Sequence, residues 1–401
     1  MGISVTYRDE TVVDISVNEV TGAVGDSVTV LPIVVAVAVL TDRSLQTALV
    51  WFGVFQIVWG LYYGVPISVE PMKALAALVI ADSISTAAYL LSGLVLGVVL
   101  LGVGVTNSLR RLGQYVETPV VRGVQLGVAL VLVETGVRLA LGDPGLAAAA
   151  VVVAAVPIWL GYWNLTALAV VGLGGVVAVA ATGDPLSLVG VPSVSPSALG
   201  LPTDAALSTA TLVESVRFDS AAFDATAFDS ASFDSTALAL ATVEATAAQL
   251  AMTVGNAAMA TAVLLDDYFD RTVSADDLAE SMGVTNLLAV PLGGMPMCHG
   301  SGGVAGKYAF GARTAGANVV LGVGYVLLAG FAVEVVANFP LAVLGVVLAL
   351  VALQLGRTGL ERTNRYPPTV AVAAVGLLVN LGVAFVVGLV LTRLWREWSP
   401  T

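Results

Sequence analysis

Eight long stretches of this chain contain no Asp, Glu, Lys or Arg at all. They cover residues 44–69, 83–109, 144–183, 245–265, 281–306, 314–333, 335–356 and 366–392. A membrane-spanning helix needs about 20 apolar residues, and only helices or closed barrels satisfy the backbone in lipid. The stretches do not alternate with a period of two, which argues against a barrel. The sequence therefore predicts an all-α polytopic membrane protein embedded in a lipid bilayer.

The composition excludes several other classes of protein. Of 401 residues, 58% are hydrophobic and only 11% are charged, whereas soluble domains carry about 25% charged residues. Sixteen basic residues against 28 acidic ones leave no basic face for nucleic acid. One Cys and one His exclude a zinc site built from several such ligands, and we expect no metal and no cofactor. The net charge of −12 is typical of a halophilic chain.

The apolar segments form two similar halves. From Gly25 to Pro66 the distance along the chain is 41 residues. From Gly255 to Pro296 it is again 41 residues, and similar apolar segments flank both pairs. Each half has room for about seven membrane elements, and an odd number makes the second half enter the membrane from the opposite side. We therefore predict a seven-plus-seven inverted repeat that contains broken half-helices.

A compositional change marks the boundary between the halves. The stretch rich in Ser, Thr, Pro and Asp contains a pentapeptide repeat of the type FDSAA, which begins at Phe218. We interpret it as a solvated acidic linker, with a short β-solenoid as the alternative. The predicted divisions are a polar lead-in (1–24), a first membrane repeat (25–182), the linker (183–235), a second membrane repeat (236–395) and a tail (396–401).

The distribution of basic residues predicts the orientation in the cell membrane. With the N-terminus inside, eleven basic residues fall on cytoplasmic segments, Lys307 among them. Only Arg43, Arg138 and Arg217 fall outside. Because cytoplasmic loops carry the excess of Lys and Arg, we expect both termini to be cytoplasmic and the linker to be external.

Two prolines interrupt the third apolar segment, Pro66 and Pro71. Both cannot lie inside a regular helix, because each removes an N–H and clashes with the preceding turn. Pro71 suits the first turn of a helix that continues through Lys73. This places a helix N-terminus at membrane depth, where its N–H groups and dipole attract an anion. Glu70 and Lys73 are charges in an uncharged region, and we expect them to be functional rather than a structural ion pair.

A glycine-rich run occupies the mirror position in the second half. Residues 293–306 contain six glycines, which let the backbone approach a ligand closely. We expect a second half-helix here, with its N-terminus facing the first and with the Ser301 hydroxyl as a further donor. Two such N-termini would hold a dianion. The alternative is that Gly302, Gly303 and Gly306 only permit close helix packing.

Cys298 and His299 offer a function of a different class. His299 is the only His of the chain and a functional candidate by its position. Cys298 is more typical of a small apolar packing residue than of a nucleophile. A membrane-embedded hydrolase would need the two as nucleophile and base, but adjacent side chains on a helix point about 100° apart. We therefore expect no catalytic residue and no enzyme activity.

Three stretches resemble the molybdate transporter family, whose members are related to the SulP sulfate permeases. Residues 19–26 resemble its E-x-x-G-A-x-G-D opening, and residues 65–73 resemble its P-x-x-V-Q-P-M-K segment. Residues 295–313 resemble its P-x-C-H-G-x-G-G-L-A-G-x-Y-x-F-G-A-R signature. Gln249 and Asn256 also fit the segment that opens the second half. The resemblance implies a fold similar to the uracil-permease and sulfate-permease group, with a core and a gate domain.

The resemblance also implies a function: proton-linked import of a tetrahedral oxyanion, molybdate or sulfate. A permease or channel for another small anion or a nucleobase remains the alternative, and a homodimer is compatible with the resemblance. Glu70 stands where the family usually has Gln. We expect it to ionise in the empty site and to take a proton when the oxyanion binds. The expected substrate-binding residues are Asp26, Glu70, Pro71, Met72, Lys73, Gln249, Asn256, Cys298, His299, Gly300, Ser301, Gly302 and Gly303.

Overall fold

The computed structural model describes residues 3–7, 10–41, 43–113, 115–181, 235–330 and 338–398. The predicted linker lies outside these residues, except for Ser235, which begins a helix. Its Phe-Asp repeat and the end of the C-terminal tail therefore remain predictions.

The first half opens with a hairpin and continues with helices and one short strand. The antiparallel hairpin is β1 (Ile3–Tyr7) and β2 (Glu10–Ile15). The membrane elements are α1 (Val17–Thr41), α2 (Leu45–Tyr63), β3 (Val69–Pro71), α3 (Lys73–Ile80), α4 (Thr86–Val105), the short α5 (Leu109–Gly113), α6 (Thr118–Ala140), α7 (Pro144–Trp159) and α8 (Thr166–Ala181).

The second half repeats this order without the hairpin. Its elements are α9 (Ser235–Met252), a π-helical segment (Thr253–Ala260), α10 (Thr261–Phe269), α11 (Ala275–Ala289), β4 (Met297–His299), α12 (Ser301–Ala309), α13 (Gly316–Ala329), α14 (Leu341–Glu361), α15 (Tyr366–Leu378) and α16 (Leu381–Trp398). Within the described ranges, five helices are long and apolar enough to span a membrane, or six if the bent α1 is counted.

The first helix of each half is interrupted near its middle. α1 bends by 42° between Val28 and Val30, and Pro32 accounts for this because it removes the hydrogen bond to the carbonyl of residue 28. In the second half, α9 passes through the π-helical segment into α10. Such breaks are common at functional sites, and here both lie beside the short strands.

The packing of helices is reciprocal between the halves. α2 packs against α13, and its counterpart α11 packs against α4. α1 packs against α12, and its counterpart α9 packs against α3. A second group is built on the pair α6 and α14, with α7, α8, α15 and α16 around it. The first group encloses both short strands.

β3 and β4 pair as antiparallel strands in the buried interior. Val69 lies opposite His299, Glu70 opposite Cys298, and Pro71 opposite Met297. Because each strand leads directly into its half-helix, α3 and α12 leave the strand pair in opposite directions. This is the local geometry that an inverted repeat requires.

The structure adds two details to the predicted fold and corrects one. The chain is not purely helical, since it has the hairpin and the β3–β4 pair. α1 begins at Val17, inside the predicted lead-in. Pro71 ends β3, and α3 begins at Lys73 after the cap residue Met72. The last difference has a cause in the pairing with the second half, because Pro71 lies opposite Met297 and the Met72 N–H donates to the Pro296 carbonyl oxygen, which keeps the chain extended through Met72.

The backbones of α6 and α14 touch at two glycines. A Cβ on Gly136 would lie 2.7 Å from the Gly345 carbonyl oxygen, and one on Gly345 would lie 2.5 Å from the Gly136 carbonyl oxygen. We expect Gly345→Ala to lower the free energy of unfolding by about 1–3 kcal/mol, because backbone must move to admit the methyl group.

The matched control is Gly172→Ala in α8, where an added Cβ meets no atom within 4 Å. It gains the same helix propensity, about 0.5–1 kcal/mol, without a clash. Thermal unfolding of both variants in detergent measures the difference. Equal midpoints would contradict the close contact between α6 and α14.

Candidate functional site

The β3–β4 strand pair holds the starts of the two half-helices together. Besides the strand pairing, the Met72 N–H donates to the Pro296 carbonyl oxygen at 3.0 Å. The starts of α3 and α12 therefore lie at opposite ends of one short strand pair in the interior of the bundle. Pro71 and Met72 themselves are buried and contribute strand pairing and packing.

A carboxylate lies at the N-terminus of α12. The Gly303 N–H donates to Glu70 Oε1 at 2.9 Å, and Glu70 Oε2 forms an ion pair with Lys73. Glu70 is only 1% exposed. A Cβ on Gly300 would overlap the Glu70 carboxyl group, so any larger residue there would displace that group. The first turn of α12 thus already holds one anionic group, as helix N-termini favour.

Two residues from the start of the second half, Gln249 and Asn256, contact the N-terminal ends of α3 and α12. Gln249 Oε1 accepts the Ala74 N–H of α3 at 2.9 Å, and its amide group donates to Thr253 Oγ1 at 3.1 Å. Asn256 Oδ1 accepts the Ser301 hydroxyl at 2.8 Å. The two residues chosen from the resemblance therefore contact the site, one at the start of α3 and one at the start of α12.

The site has an opening at Gly302. This residue is exposed, and a Cβ there would meet Glu70 Oε1 at 4.0 Å and nothing nearer. The Lys73 side chain is 13% exposed, and Asn256 is partly exposed. A ligand that enters at Gly302 would therefore reach the Glu70–Lys73 pair and the first turn of α12.

A second ion pair lies behind the first. Lys307 Nζ is 3.1 Å from Asp26 Oδ2, and both side chains are completely buried. The Ser68 hydroxyl donates to Asp26 Oδ1 and lies 3.4 Å from Glu70 Oε1, so it joins the two pairs. The formal charges of Asp26, Glu70, Lys73 and Lys307 cancel.

The packing explains why two of the sequence motifs occur together. Glu19 and Asp26 are seven residues apart and so lie on one face of α1, and Gly25 lies about 100° around the helix from Asp26. A Cβ on Gly25 would lie 2.8 Å from the Gly306 carbonyl oxygen of α12. Glu19 accepts N–H groups at the start of α13, including that of Ala317 at 3.0 Å. The motif at 19–26 is therefore the surface on which the motif at 295–313 packs.

His299 and Cys298 have structural partners. The His299 ring nitrogens lie 3.0 Å from the Ser68 carbonyl oxygen and 2.7 Å from Ser281 Oγ. Cys298 Sγ lies 3.9 Å from the Pro71 carbonyl oxygen. The two residues belong to strand β4 and not to a helix, so their side chains point to opposite faces. This arrangement separates a nucleophile from a base even more than the expected helix would.

Part of the site was not predicted from the sequence. Lys307 was predicted on a cytoplasmic segment, whereas the structure buries it completely against Asp26. Gln56, Ser68 and Asn318 are buried around this ion pair and were not predicted as site residues. A signal for Lys307 was present, because the sequence has only two lysines and both lie in the site.

The chain matches the family described as "Molybdate transporter of MFS superfamily" over residues 18–132 and 241–355. These are two segments of equal length, one in each half. Molybdate transporter 2 of Arabidopsis thaliana is 28% identical over 375 residues, which cover 87% of this chain and 80% of the relative. Molybdate transporter 1 of the same plant is 27% identical, with coverage of 94% and 88%.

Solved structures share the fold. The transmembrane domain of a cyanobacterial bicarbonate transporter, BicA, superposes with a TM-score of 0.63 at 17% identity and covers 96% of this chain and 99% of that domain. The murine Solute Carrier 26 family member A9 anion transporter, in its inward-facing state, superposes with a TM-score of 0.56 at 13% identity. It covers 98% of this chain and 69% of that one. These matches confirm the predicted inverted-repeat fold.

The relatives decide between the classes of function that the sequence left open. They are transporters, which confirms the prediction of a multi-pass membrane transporter and contradicts the hydrolase alternative. The match also spans both halves of the chain and includes all three motifs on which the resemblance was based. The chain therefore belongs to the molybdate transporter family.

Proposed function

We propose that this protein is a secondary active transporter that imports a tetrahedral oxyanion, molybdate first and sulfate as the closest competitor. The observation that carries the proposal is the placement of an anionic group, the Glu70 carboxylate, on the first turn of α12 beside the opening at Gly302. The relatives named as molybdate transporters support the choice of substrate.

On binding, the oxyanion would replace the Glu70 carboxylate as the hydrogen-bond acceptor at the first turn of α12. The oxyanion enters at Gly302 and accepts hydrogen bonds from the first turn of α12, where Gly303 now donates to Glu70. The Ser301 hydroxyl and the Lys73 ammonium are the side-chain donors within reach of this position. N–H groups and one ammonium suit a compact, fully deprotonated oxyanion.

Charge balance suggests how a proton would be coupled. The four ionised groups of the site sum to zero, so a dianion would leave it strongly negative in a poorly hydrated interior. A proton taken up by Glu70 removes one negative charge and releases the Gly303 N–H. Anion and proton then favour each other's binding, and this coupling is reciprocal.

Alternating access would follow from the two helix groups. The group that contains α1–α4 and α9–α13 carries the half-helices, and the group around α6 and α14 would serve as the gate. In inverted-repeat transporters one group rocks against the other around a fixed site. We place the termini in the cytoplasm and residues 183–235 outside, as the basic residues indicate.

Uptake into liposomes tests the proposal. Purified protein is reconstituted, and internal molybdate is measured by mass spectrometry with and without an inward proton gradient. We expect accumulation above the external concentration with the gradient, inhibition by excess sulfate, and no inhibition by uracil. Equilibration without accumulation would indicate a channel instead, and transport of uracil would indicate a nucleobase permease.

Glu70→Gln is expected to separate binding from proton coupling. The variant removes the carboxylate that competes for Gly303, so molybdate should bind at least as well. Uptake should lose most of its pH dependence, because the other charged groups around the position, Asp26, Lys73 and Lys307, are unchanged and His299 remains hydrogen-bonded.

The matched control is Glu361→Gln, which changes an exposed carboxylate paired with Arg357 on α14. It should keep the pH profile of the unmodified protein. If Glu70→Gln also keeps that profile, Glu70 is only a structural partner of Lys73.

A further inference from the structure

The Lys307 ammonium lies inside a cage of oxygen atoms. Asp26 Oδ2 is 3.1 Å from Nζ, Gln56 Oε1 is 2.9 Å away and Asn318 Oδ1 is 3.0 Å away. The Ile67 carbonyl oxygen also accepts a hydrogen bond from Nζ. The four oxygens come from α1, α2, α13 and the segment that precedes β3. The side chains of Asp26, Gln56 and Asn318 are fully buried, and so is the Lys307 side chain that they surround.

The cage oxygens are oriented by bonds on their other side. The Gln56 amide group donates to Asp26 Oδ2 at 2.9 Å, and the Asn318 amide group donates to the Ile67 carbonyl oxygen at 2.7 Å. Both amide oxygens are thereby turned towards Nζ. The donor set is one carboxylate and three neutral carbonyl oxygens, which is the chemistry that hard cations prefer.

We propose that this cage is a monovalent-cation site whose permanent occupant is the Lys307 ammonium. The cation in the cage is then a side chain of the protein and not a free ion. The consequence for transport rests on the function proposed above: oxyanion uptake needs neither Na⁺ nor K⁺.

The position of the cage links it to the anion site. Ser68 contacts both Asp26 in the cage and Glu70 at the start of α12. Lys307 is itself a residue of α12, so its charge stays with the half-helix that would hold the oxyanion. A free ion in such a cage could dissociate and couple transport to its own gradient, as ions at broken helices do in other transporters. A tethered ammonium cannot dissociate, which leaves the proton as the coupling ion.

Lys307→Ala empties the cage and tests it without a transport assay. The purified variant is heated in detergent in the chloride salts of choline, Na⁺, K⁺ and ammonium at equal ionic strength. We expect Na⁺, K⁺ or ammonium to raise its unfolding midpoint by about 5 °C or more relative to choline, because these ions bind only the folded cage. The unmodified protein should show no such difference.

A double variant provides the control for the donor set. Lys307→Ala with Asp26→Asn lacks the carboxylate, so its midpoint should not respond to the choice of cation. If Lys307→Ala is too unstable to heat, its yield of monodisperse protein after purification in each salt is the measurement. Equal midpoints, or equally poor yields in all four salts, would overturn the proposal.

Uptake supplies the second arm of the experiment. The unmodified protein should import molybdate at the same rate in choline and in Na⁺, and Lys307→Ala should import it only when a small cation is present. If uptake by the unmodified protein required Na⁺, the proposal that the Lys307 ammonium takes the place of a free cation would be refuted. If neither protein imports any oxyanion, the proposed function fails, while the unfolding midpoints still decide whether the cage binds cations.

Discussion

Gly302→Val is expected to lower molybdate uptake by at least about tenfold and to leave the folded protein intact. The added side chain would enter open space, since its Cβ meets only Glu70 Oε1, at 4.0 Å. The same space is the opening through which a ligand would reach the first turn of α12. A tenfold loss of binding corresponds to about 1.4 kcal/mol, which a steric block of this kind readily exceeds.

Gly324→Val is the matched control for this experiment. Gly324 is also an exposed helical glycine, in α13, and an added Cβ there meets no atom within 4 Å. Both variants should unfold at the same temperature, and only Gly302→Val should lose uptake. Equal uptake by the two variants would place the oxyanion elsewhere.

Asp26→Asn is expected to cause the largest loss of stability. It leaves the Lys307 ammonium completely buried without its carboxylate, and breaking a buried ion pair in this way costs about 3–5 kcal/mol. Asp26→Asn combined with Lys307→Met removes both charges, so the double variant should recover part of the loss. Denaturant unfolding in detergent gives the free energies.

The exposed pair Arg357–Glu361 is the reference for this comparison. Its side chains are 64% and 58% exposed, so Glu361→Gln should change stability by about 0.5 kcal/mol or less. A double variant as unstable as Asp26→Asn alone would show that the loss comes from the hydrogen bonds of Asp26 and not from an unbalanced charge.

The membrane architecture is predictable from the amino-acid sequence alone. Charge-free stretches predict spanning helices because lipid excludes ionised side chains. Pro66, Pro71 and the glycines of 293–306 predict the breaks in the helices because these residues act on their own backbone. The two 41-residue spacings predict the inverted repeat, and the family matches in both halves agree with it. All of these signals are local or periodic, so one sequence is enough to find them.

Which side chains contact each other in the site depends on the three-dimensional packing of the chain. Glu70 lies on the first turn of α12, 233 residues away in sequence, and not on the turn of its own half-helix. Lys307 was predicted on a cytoplasmic segment from the count of basic residues, yet its ammonium lies in an oxygen cage with Asp26, Gln56 and Asn318. The physical reason is that these partners come from four elements distant in the chain. Their proximity depends on the reciprocal packing of the two halves and on the pairing of β3 with β4, which no local pattern encodes.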